Sequence, residues 1–442
     1  MKFYGAEEIR TFRPYTIGSQ GSVKAATAKA AERVKKAGAW TAQQILGKRY
    51  PIGCVALEVT QRCNLDCTLC YLSENSESVK DIPLQEIFAR IDAIKDHYGP
   101  GTDVQVTGGD PTLRDEAELI QIVKRIKSMG MNPTLMTNGL KASRALIEKL
   151  LAVGLKDIAF HVDLTQERKP HKTEVELNKV RKMYIERVRG LPIHIIFNTT
   201  VFAGNFHEIP ALIQFFAENS DIVQFASFQL QADTGRGELR KRDTIIDADT
   251  VWAKIEEGAG VKLPYDSIQI GHKDCNRYSV SLTSDGKLFP MLENPEFITD
   301  FMDASEGLVL DRTNKIGFAK NLGKWMIQNP KLATRGVTKL AIPKVMKMLP
   351  SLIKSKGKMG KLTFFVHNFM DATQLDCDRI DSCSFMVMTD EGPISMCMHN
   401  AKRDDFILKT IEVKTDEGVK TWNPTVGMYA VAAATAPASA HD

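Results

Sequence analysis

From Cys54 to Leu230, short apolar runs rich in β-formers alternate with segments of helical period. The runs are "CVALEVT", "VQVTGG", "PTLMTNG", "DIAFHVDL", "IHIIFNTTVF" and "IVQFASFQL". Short runs rich in Val, Ile, Phe and Thr read as strands. Between them, a 3.6-residue spacing predicts helices near 84–98, 114–129, 142–153, 174–190 and 206–217. Gly139 precedes the third of these and Gly154 follows it. Six such units predict an α/β fold with a parallel sheet, open or closed into a partial barrel. In folds of that kind the chemistry gathers at the carboxyl ends of the strands.

The flanks read differently. Residues 1–50 contain a basic, Ala-rich helical extension around "VKAATAKAAERVKK", in which no chemistry is evident. Residues 51–235 are the alternating region. The alternation stops after about Gly235, and 236–310 hold a hairpin, "YSVSLTSDGKLFPML", turning at Asp285-Gly286. Residues 311–361 are strongly basic. Residues 362–427 form a second cysteine-bearing module with a turn at "TDEGPI". The Ala-, Pro- and Ser-bearing tail 428–442 is expected to be disordered.

Composition narrows this picture. With 442 residues, 43% of them hydrophobic, the chain can fill a large barrel core and a further module. Eight cysteines in that length are too sparse for a disulfide scaffold. Met1–Tyr15 does not resemble a signal peptide, and no apolar run reaches the length of a membrane span. The expectation is a reducing cytoplasm, where clustered cysteines more often bind metal.

The net charge of +4 conceals a local excess, since residues 311–361 carry thirteen Lys or Arg and one acid. Phe318, Leu322, Trp325 and Met326 fall at helical spacing, with Lys315, Lys320 and Lys324 among them. Val345, Met348, Leu349 and Leu352 repeat the arrangement with Lys344, Lys347 and Lys354. Basic amphipathic helices with a boundary Trp suit an anionic membrane surface, here the inner face of the membrane. The alternative is a solvated helical insertion packed on the barrel. Nucleic acid is not expected, because aromatics are few and no RNA-binding motif accompanies the charge.

The candidate chemistry begins at "TQRCNLDCTLCYLSE", residues 60–74. Cys63, Cys67 and Cys70 follow the first strand directly. Three thiolates hold three corners of a 4Fe–4S cube and leave one iron open, whereas a fully ligated cluster takes four. A zinc finger would need a fourth ligand nearby, and His97 is distant. The spacing C-x-x-x-C-x-x-C followed by an aromatic, Tyr71, resembles the signature of the radical S-adenosylmethionine (SAM) superfamily. "VTGGDP" ends the second strand and resembles that superfamily's Gly-Gly-Glu motif, with Asp110 in place of Glu.

The resemblance implies a partial (β/α)6 barrel of TIM type and an open iron that chelates SAM. It implies reductive cleavage of SAM to methionine and a hydrogen-abstracting 5′-deoxyadenosyl radical, with electrons from a donor such as flavodoxin or ferredoxin. It assigns Cys63, Cys67 and Cys70 to the cluster and Tyr71, Gly108, Gly109 and Asp110 to SAM. Other strand-end polar residues are weaker candidates for the cofactor: Thr137, Asn138, Asp163, Asn198, Thr200, Gln229 and Gln231. Each could equally satisfy a loop backbone.

Cys275, Cys377, Cys383 and Cys397 lie beyond the barrel, and four is the number that ligates a second, auxiliary 4Fe–4S cluster. Buried structural cysteines are the alternative. His367 and His399 are alternative ligands, and Cys54 reads as a core residue. The stretches "HKDCNRYSVSLTSDGKLFP", "FFVHNFMDA", "RIDSCSF" and "GPISMCMHN" resemble the C-terminal region of tetraether-lipid-synthase-like radical SAM proteins. Cys275, Cys383 and Cys397 match that pattern best.

That branch implies hydrogen abstraction from an unactivated carbon of a membrane lipid or other long chain, followed by carbon–carbon or other bond formation. The chain departs from it in having no cysteine before Cys54, where the group carries further iron centres. Two competing functions stay open: a radical SAM methylase or peptide or cofactor maturase on a soluble substrate, and a non-catalytic iron–sulfur or zinc protein.

Overall fold

The computed structural model describes residues 2–18, 22–237, 246–305, 308 and 315–429. The six apolar runs form strands β1 (Cys54–Thr60), β2 (Asp103–Gly108), β3 (Asn132–Thr137), β4 (Asp157–His161), β5 (His194–Val201) and β6 (Val223–Leu230). They lie side by side in chain order, every adjacent pair parallel. Val55 to Thr60 are all buried, as expected for a strand covered on both faces.

The intervening helices dock by apolar stripes. Glu116–Ser128 buries Leu119, Ile122, Val123 and Ile126, and Asp115 caps it by accepting from the Glu118 amide. The fold is the partial (β/α)6 barrel that the alternation predicts, with a cysteine-bearing C-terminal module.

Among the described residues, Ile411–Thr415, Gly418–Asn423 and Met428–Tyr429 form a separate three-stranded sheet, but the rest of that module and the hairpin region do not stand apart from the barrel sheet. β7 (Asn276–Ser284), β8 (Lys287–Pro290), β9 (Gly360–His367), β10 (Phe385–Met388) and β11 (Pro393–Ser395) join the same sheet. Its order is β11-β10-β1-β2-β3-β4-β5-β6-β9-β7-β8. β9 adds in parallel beside β6 and β10 in parallel beside β1, while β7, β8 and β11 are antiparallel.

The two extended edges then meet. The His367 ring at the end of β9 lies 5.9 Å from the Phe385 ring at the start of β10. Arg379, before β10, donates to the Asn368 carbonyl and places its Nε 3.4 Å from Cys275 Sγ, before β7. The sheet therefore curls until segments from opposite edges touch.

The N-terminal helix Val23–Lys36 packs by Ala26, Ala30 and Val34. Its Arg33 donates to the Cys383 carbonyl at 2.9 Å, so the extension braces this seam. At the other terminus, Met428 and Tyr429 pair with Asn423 and Trp422 rather than beginning a tail. Residues 430–442 lie outside the described residues.

The basic segment is helical over Lys315–Gln328, Pro330–Arg335 and Ile342–Lys354, joined by a π-helical turn at Gly336–Ala341. Trp325 is not a boundary residue. It is 7% exposed, donates its Nε1 proton to the Ala304 carbonyl at 2.9 Å and meets Phe301 edge-on at 5.0 Å. Burying its ring together with its N–H partner makes it an internal anchor. The side chains of Lys315 and Phe318 lie outside the described residues. Among the described residues, no helix is long and apolar enough to cross a membrane.

Candidate radical SAM site

The loop after β1 carries Cys63, Cys67 and Cys70 to the carboxyl end of the barrel. Three residues outside it fix its course. The Thr68 amide donates to the Thr165 carbonyl beyond β4 at 2.9 Å. The Arg236 amide donates to the carbonyls of Cys70 and Leu72, and its guanidinium reaches Asp66 at 2.7 Å and Glu77 at 3.1 Å. Asn138 donates to Asn64 Oδ1 at 2.6 Å and lies 3.8 Å from Cys63 Sγ.

All three thiols are free and line one cavity of about 1220 Å³, part of it open to solvent. Burial pushes each of them above the usual thiol range. The protein alone does not favour thiolates there, whereas a bound cationic iron centre would, since a coordinating thiol is deprotonated. Among the described residues no three His, Cys, Asp or Glu side chains converge as around a single ion. Ligands of a cube bind separate irons, so a trio of spaced thiols is the donor set that a 4Fe–4S cluster takes.

The turn after β2 abuts this loop so closely that only glycine fits. A Cβ on Gly108, at φ +128°, would stand 1.9 Å from the Thr60 carbonyl oxygen. One on Gly109 would stand 2.0 Å from that of Arg62. Tyr71 bridges the same parts, donating its hydroxyl to the Gly108 carbonyl at 2.9 Å. Its ring lies 4.8 Å from the Arg403 guanidinium.

Of the residues assigned from sequence, Cys63, Cys67, Cys70, Tyr71, Gly108, Gly109, Thr137, Asn138 and Asn198 line the cavity. So do Thr200, Gln229 and Gln231.

Asp110 does not. It is 1% exposed, and its carboxylate accepts from the Thr112 amide and hydroxyl, the Thr137 hydroxyl and the Asn138 amide at 2.6–3.0 Å. It ties the end of β3 to the Gly-Gly turn and thereby sets Thr137 and Asn138. Asp163 is likewise withdrawn. Its buried carboxylate accepts from the Thr165 amide and hydroxyl and the Thr200 amide, and contacts His161 Nε2 at 2.6 Å.

His161, which sequence reasoning passed over, is the residue that Asp163 orients into the cavity. The available signal was its place as the last residue of β4, two before an acid.

Around the seam the structure gathers a second set of thiols. Cys275, Cys383 and Cys397 are mutual neighbours, and burial, then each other's charge, raises Cys397 to about 12. Burial raises Cys275 to about 11, with Arg379 opposing. The Met370 amide points at Cys397 Sγ at 3.4 Å. Cys377 is elsewhere. Its amide donates to the Lys2 carbonyl, and its thiol faces Lys2, Glu8, Asp376 and Asp381 near the surface. The four-cysteine set is therefore not assembled, because Cys377 begins a short helix turned toward the N-terminus.

His399 does not join the trio either; it lies buried beside Glu58 and Arg403 and stacks on Phe406. His367 is half-buried among the rings of Phe365, Phe369 and Phe385. Cys54 opens β1 in a half-buried position.

Comparison with known proteins agrees with the site. Residues 57–216 match the family model described as the radical SAM superfamily. The 7,8-dihydro-6-hydroxymethylpterin dimethyltransferase of Methanocaldococcus jannaschii is 26% identical over 410 residues, covering 82% of this chain and 79% of that protein. A PqqA peptide cyclase of Methylobacterium nodulans is 26% identical over 37% of this chain and 42% of that protein. A crystal structure of Streptococcus suis SuiB bound to precursor peptide SuiA aligns over 52% of this chain and 48% of that one, at 17% identity and a TM-score of 0.37, a similarity too slight to add to the case. With the cysteine loop and the Gly-Gly turn inside the matched region, residues 57–216 carry a radical SAM superfamily domain.

Proposed function

We propose that this radical SAM enzyme activates an unactivated C–H bond of a long-chain apolar substrate, a membrane lipid or its acyl or isoprenoid chain, leading to carbon–carbon or other bond formation. One observation carries the proposal: a single cavity runs from Cys63, Cys67 and Cys70 to residues flanking the second thiol trio. Phe385 lies two residues from Cys383, Met396 adjoins Cys397, and Leu69, Met136, Leu230 and Phe369 continue the apolar wall. Burying methylenes against such a wall favours a chain over a polar substrate.

Cys63, Cys67 and Cys70 would hold the cluster that, with SAM and an electron from a flavodoxin or ferredoxin, supplies the hydrogen-abstracting radical. The Gly108-Gly109 turn brings bare backbone to the SAM side of the cavity. Thr137 and Asn138, set by Asp110, present polar groups beside it. Cys275, Cys383 and Cys397 would hold an auxiliary 4Fe–4S cluster with one position not filled by cysteine.

A second function is favoured by the dimethyltransferase relative, which covers most of the chain. It is methyl transfer to a soluble heteroaromatic substrate, for which Gln229, Gln231 and His161 offer polar contacts.

The test is anaerobic reconstitution followed by turnover with perdeuterated lipid. About eight irons per chain and deuterium in the 5′-deoxyadenosine would support the proposal. SAM cleavage without deuterium transfer from any lipid, but with methylation of a pterin, would replace it by the second function.

A further inference from the structure

We infer that the outer face of the helix Ile342–Lys354 is a docking surface for an anionic lipid bilayer. This inference is independent of which substrate the cavity accepts.

The helix is amphipathic in the opposite sense to an ordinary surface helix, which turns its apolar stripe to the core. Ile342, Val345, Met346, Leu349 and Ile353 follow helical spacing and are 53%, 53%, 64%, 44% and 71% exposed. At ~100° per residue they fall on one arc about 100° wide. The inward side instead holds Met348, Ser351 and the buried Lys344, whose ammonium pairs with Glu293. The helix is thus held by one deep methionine and by ion pairs at both ends, the second being Lys354 with Asp285 at 2.8 Å. Isolated exposed apolar residues are ordinary on a protein surface, but five in one continuous stripe mark a contact site.

Charge selects the occupant. From residue 312 to 361 there is no acidic residue. Lys320, Lys324, Lys331, Lys339, Lys356 and Lys358 are exposed and pair with no carboxylate among the described residues. Other apolar residues of the segment are also outward: Ile316 and Ile327, on the helix Lys315–Gln328, are 84% and 82% exposed, and Met359 is 61% exposed. An apolar stripe flanked by exposed lysines matches a surface that offers hydrocarbon below and phosphate above, which is the interface of an anionic membrane. A protein partner would have to be both apolar and acidic over the same strip. The stripe differs from the one read in sequence, because Met348 and Leu352 face inward while Ile342, Met346 and Ile353 face out.

The test is co-sedimentation of the full chain with phosphatidylcholine vesicles, with and without about a third phosphatidylglycerol. Binding is expected only with phosphatidylglycerol, and to fall steeply between low salt and ~0.5 M salt as charge is screened. The double variant Leu349→Glu/Ile353→Glu is expected to bind at least about tenfold more weakly, with iron content and SAM cleavage unchanged. Val175→Glu/Met183→Glu, on an unrelated helix, should bind as the parent. A Leu349→Trp variant gives a second readout, a blue shift in emission on phosphatidylglycerol vesicles.

No binding to phosphatidylglycerol vesicles, or equal binding by the double variant, would overturn the inference. So would a parent dimer that the double variant converts to monomer, which would assign the stripe to a second copy. Because SAM cleavage is measured separately, failure here is distinct from failure of the proposed chemistry.

Discussion

Glu58, on β1, accepts two hydrogen bonds from Arg403 Nη1, at 2.7 and 2.9 Å, across 345 residues of chain. Both side chains are buried, and the guanidinium lies 4.8 Å from the ring centre of Tyr71, beside the cysteine loop. The pair clamps the C-terminal module to the first strand of the barrel directly beneath the candidate site. Breaking it from one side leaves a buried, uncompensated charge. Arg403→Met is therefore expected to destabilise the fold by about 3–5 kcal/mol, measured by denaturant unfolding. The double replacement Glu58→Gln/Arg403→Met should cost less than Arg403→Met alone, because no charge is stranded.

The same pair predicts acid sensitivity. Burial by itself raises the Glu58 carboxyl, and Arg403 and His399 more than reverse this, holding it at about 2. A depressed carboxyl contributes stability above its unfolded value, and that contribution is lost as pH falls through the folded value. The parent should lose roughly 3 kcal/mol between about pH 4.5 and pH 2 from this group. In the double replacement that component of the pH dependence should be absent, as seen in unfolding midpoints across the range.

Iron counting separates the two thiol sets. Triple replacement of Cys63, Cys67 and Cys70 by Ala should remove about four irons and abolish 5′-deoxyadenosine formation. Triple replacement of Cys275, Cys383 and Cys397 should remove about four others. Cys377→Ala should leave the total unchanged, since its thiol faces Lys2 and Glu8. Loss of iron in Cys377→Ala would show that it moves to the trio when metal binds.

Asp110 acts through others, so its substitution should separate binding from turnover. Asp110→Ala removes the acceptor for Thr137 and Asn138, whose hydrogen bonds to a charged partner are worth ~1.5–3 kcal/mol each. The expected result is a lower Tm and weaker SAM binding, with 5′-deoxyadenosine still formed at saturating SAM. Asp110→Glu, which restores the residue usual in the family motif, should not be neutral. The site is 1% exposed, and an added methylene there costs about 1–3 kcal/mol.

His161 reaches the cavity with its Nε2 bound by Asp163 and 3.2 Å from the Thr200 hydroxyl. His161→Gln should keep iron content and SAM cleavage and lower the product formed per 5′-deoxyadenosine. If the product ratio is unchanged, His161 serves only to satisfy Asp163.

The strands and helices of the barrel were legible in the sequence because their signals are local: β-rich runs, 3.6-residue stripes, and boundary glycines such as Gly139 and Gly154. It also determined the site's nucleus, since Cys63, Cys67 and Cys70 share one loop and Gly108, Gly109 one turn. What tertiary structure alone decided is everything that depends on which distant segments meet. Whether Asp110 faces the cavity depends on donors 27 and 28 residues away. Whether Cys275 joins Cys383 and Cys397 rather than Cys377 depends on opposite sheet edges closing on each other. Helical period marked an apolar stripe near Val345 and Leu349. Which side of that helix faces the protein was set by Met348, Lys344 and Glu293, and so the stripe was left facing outward. Spacing along a chain encodes local geometry, but the partner of a buried charge, thiol or ring is fixed by packing, which no single segment contains.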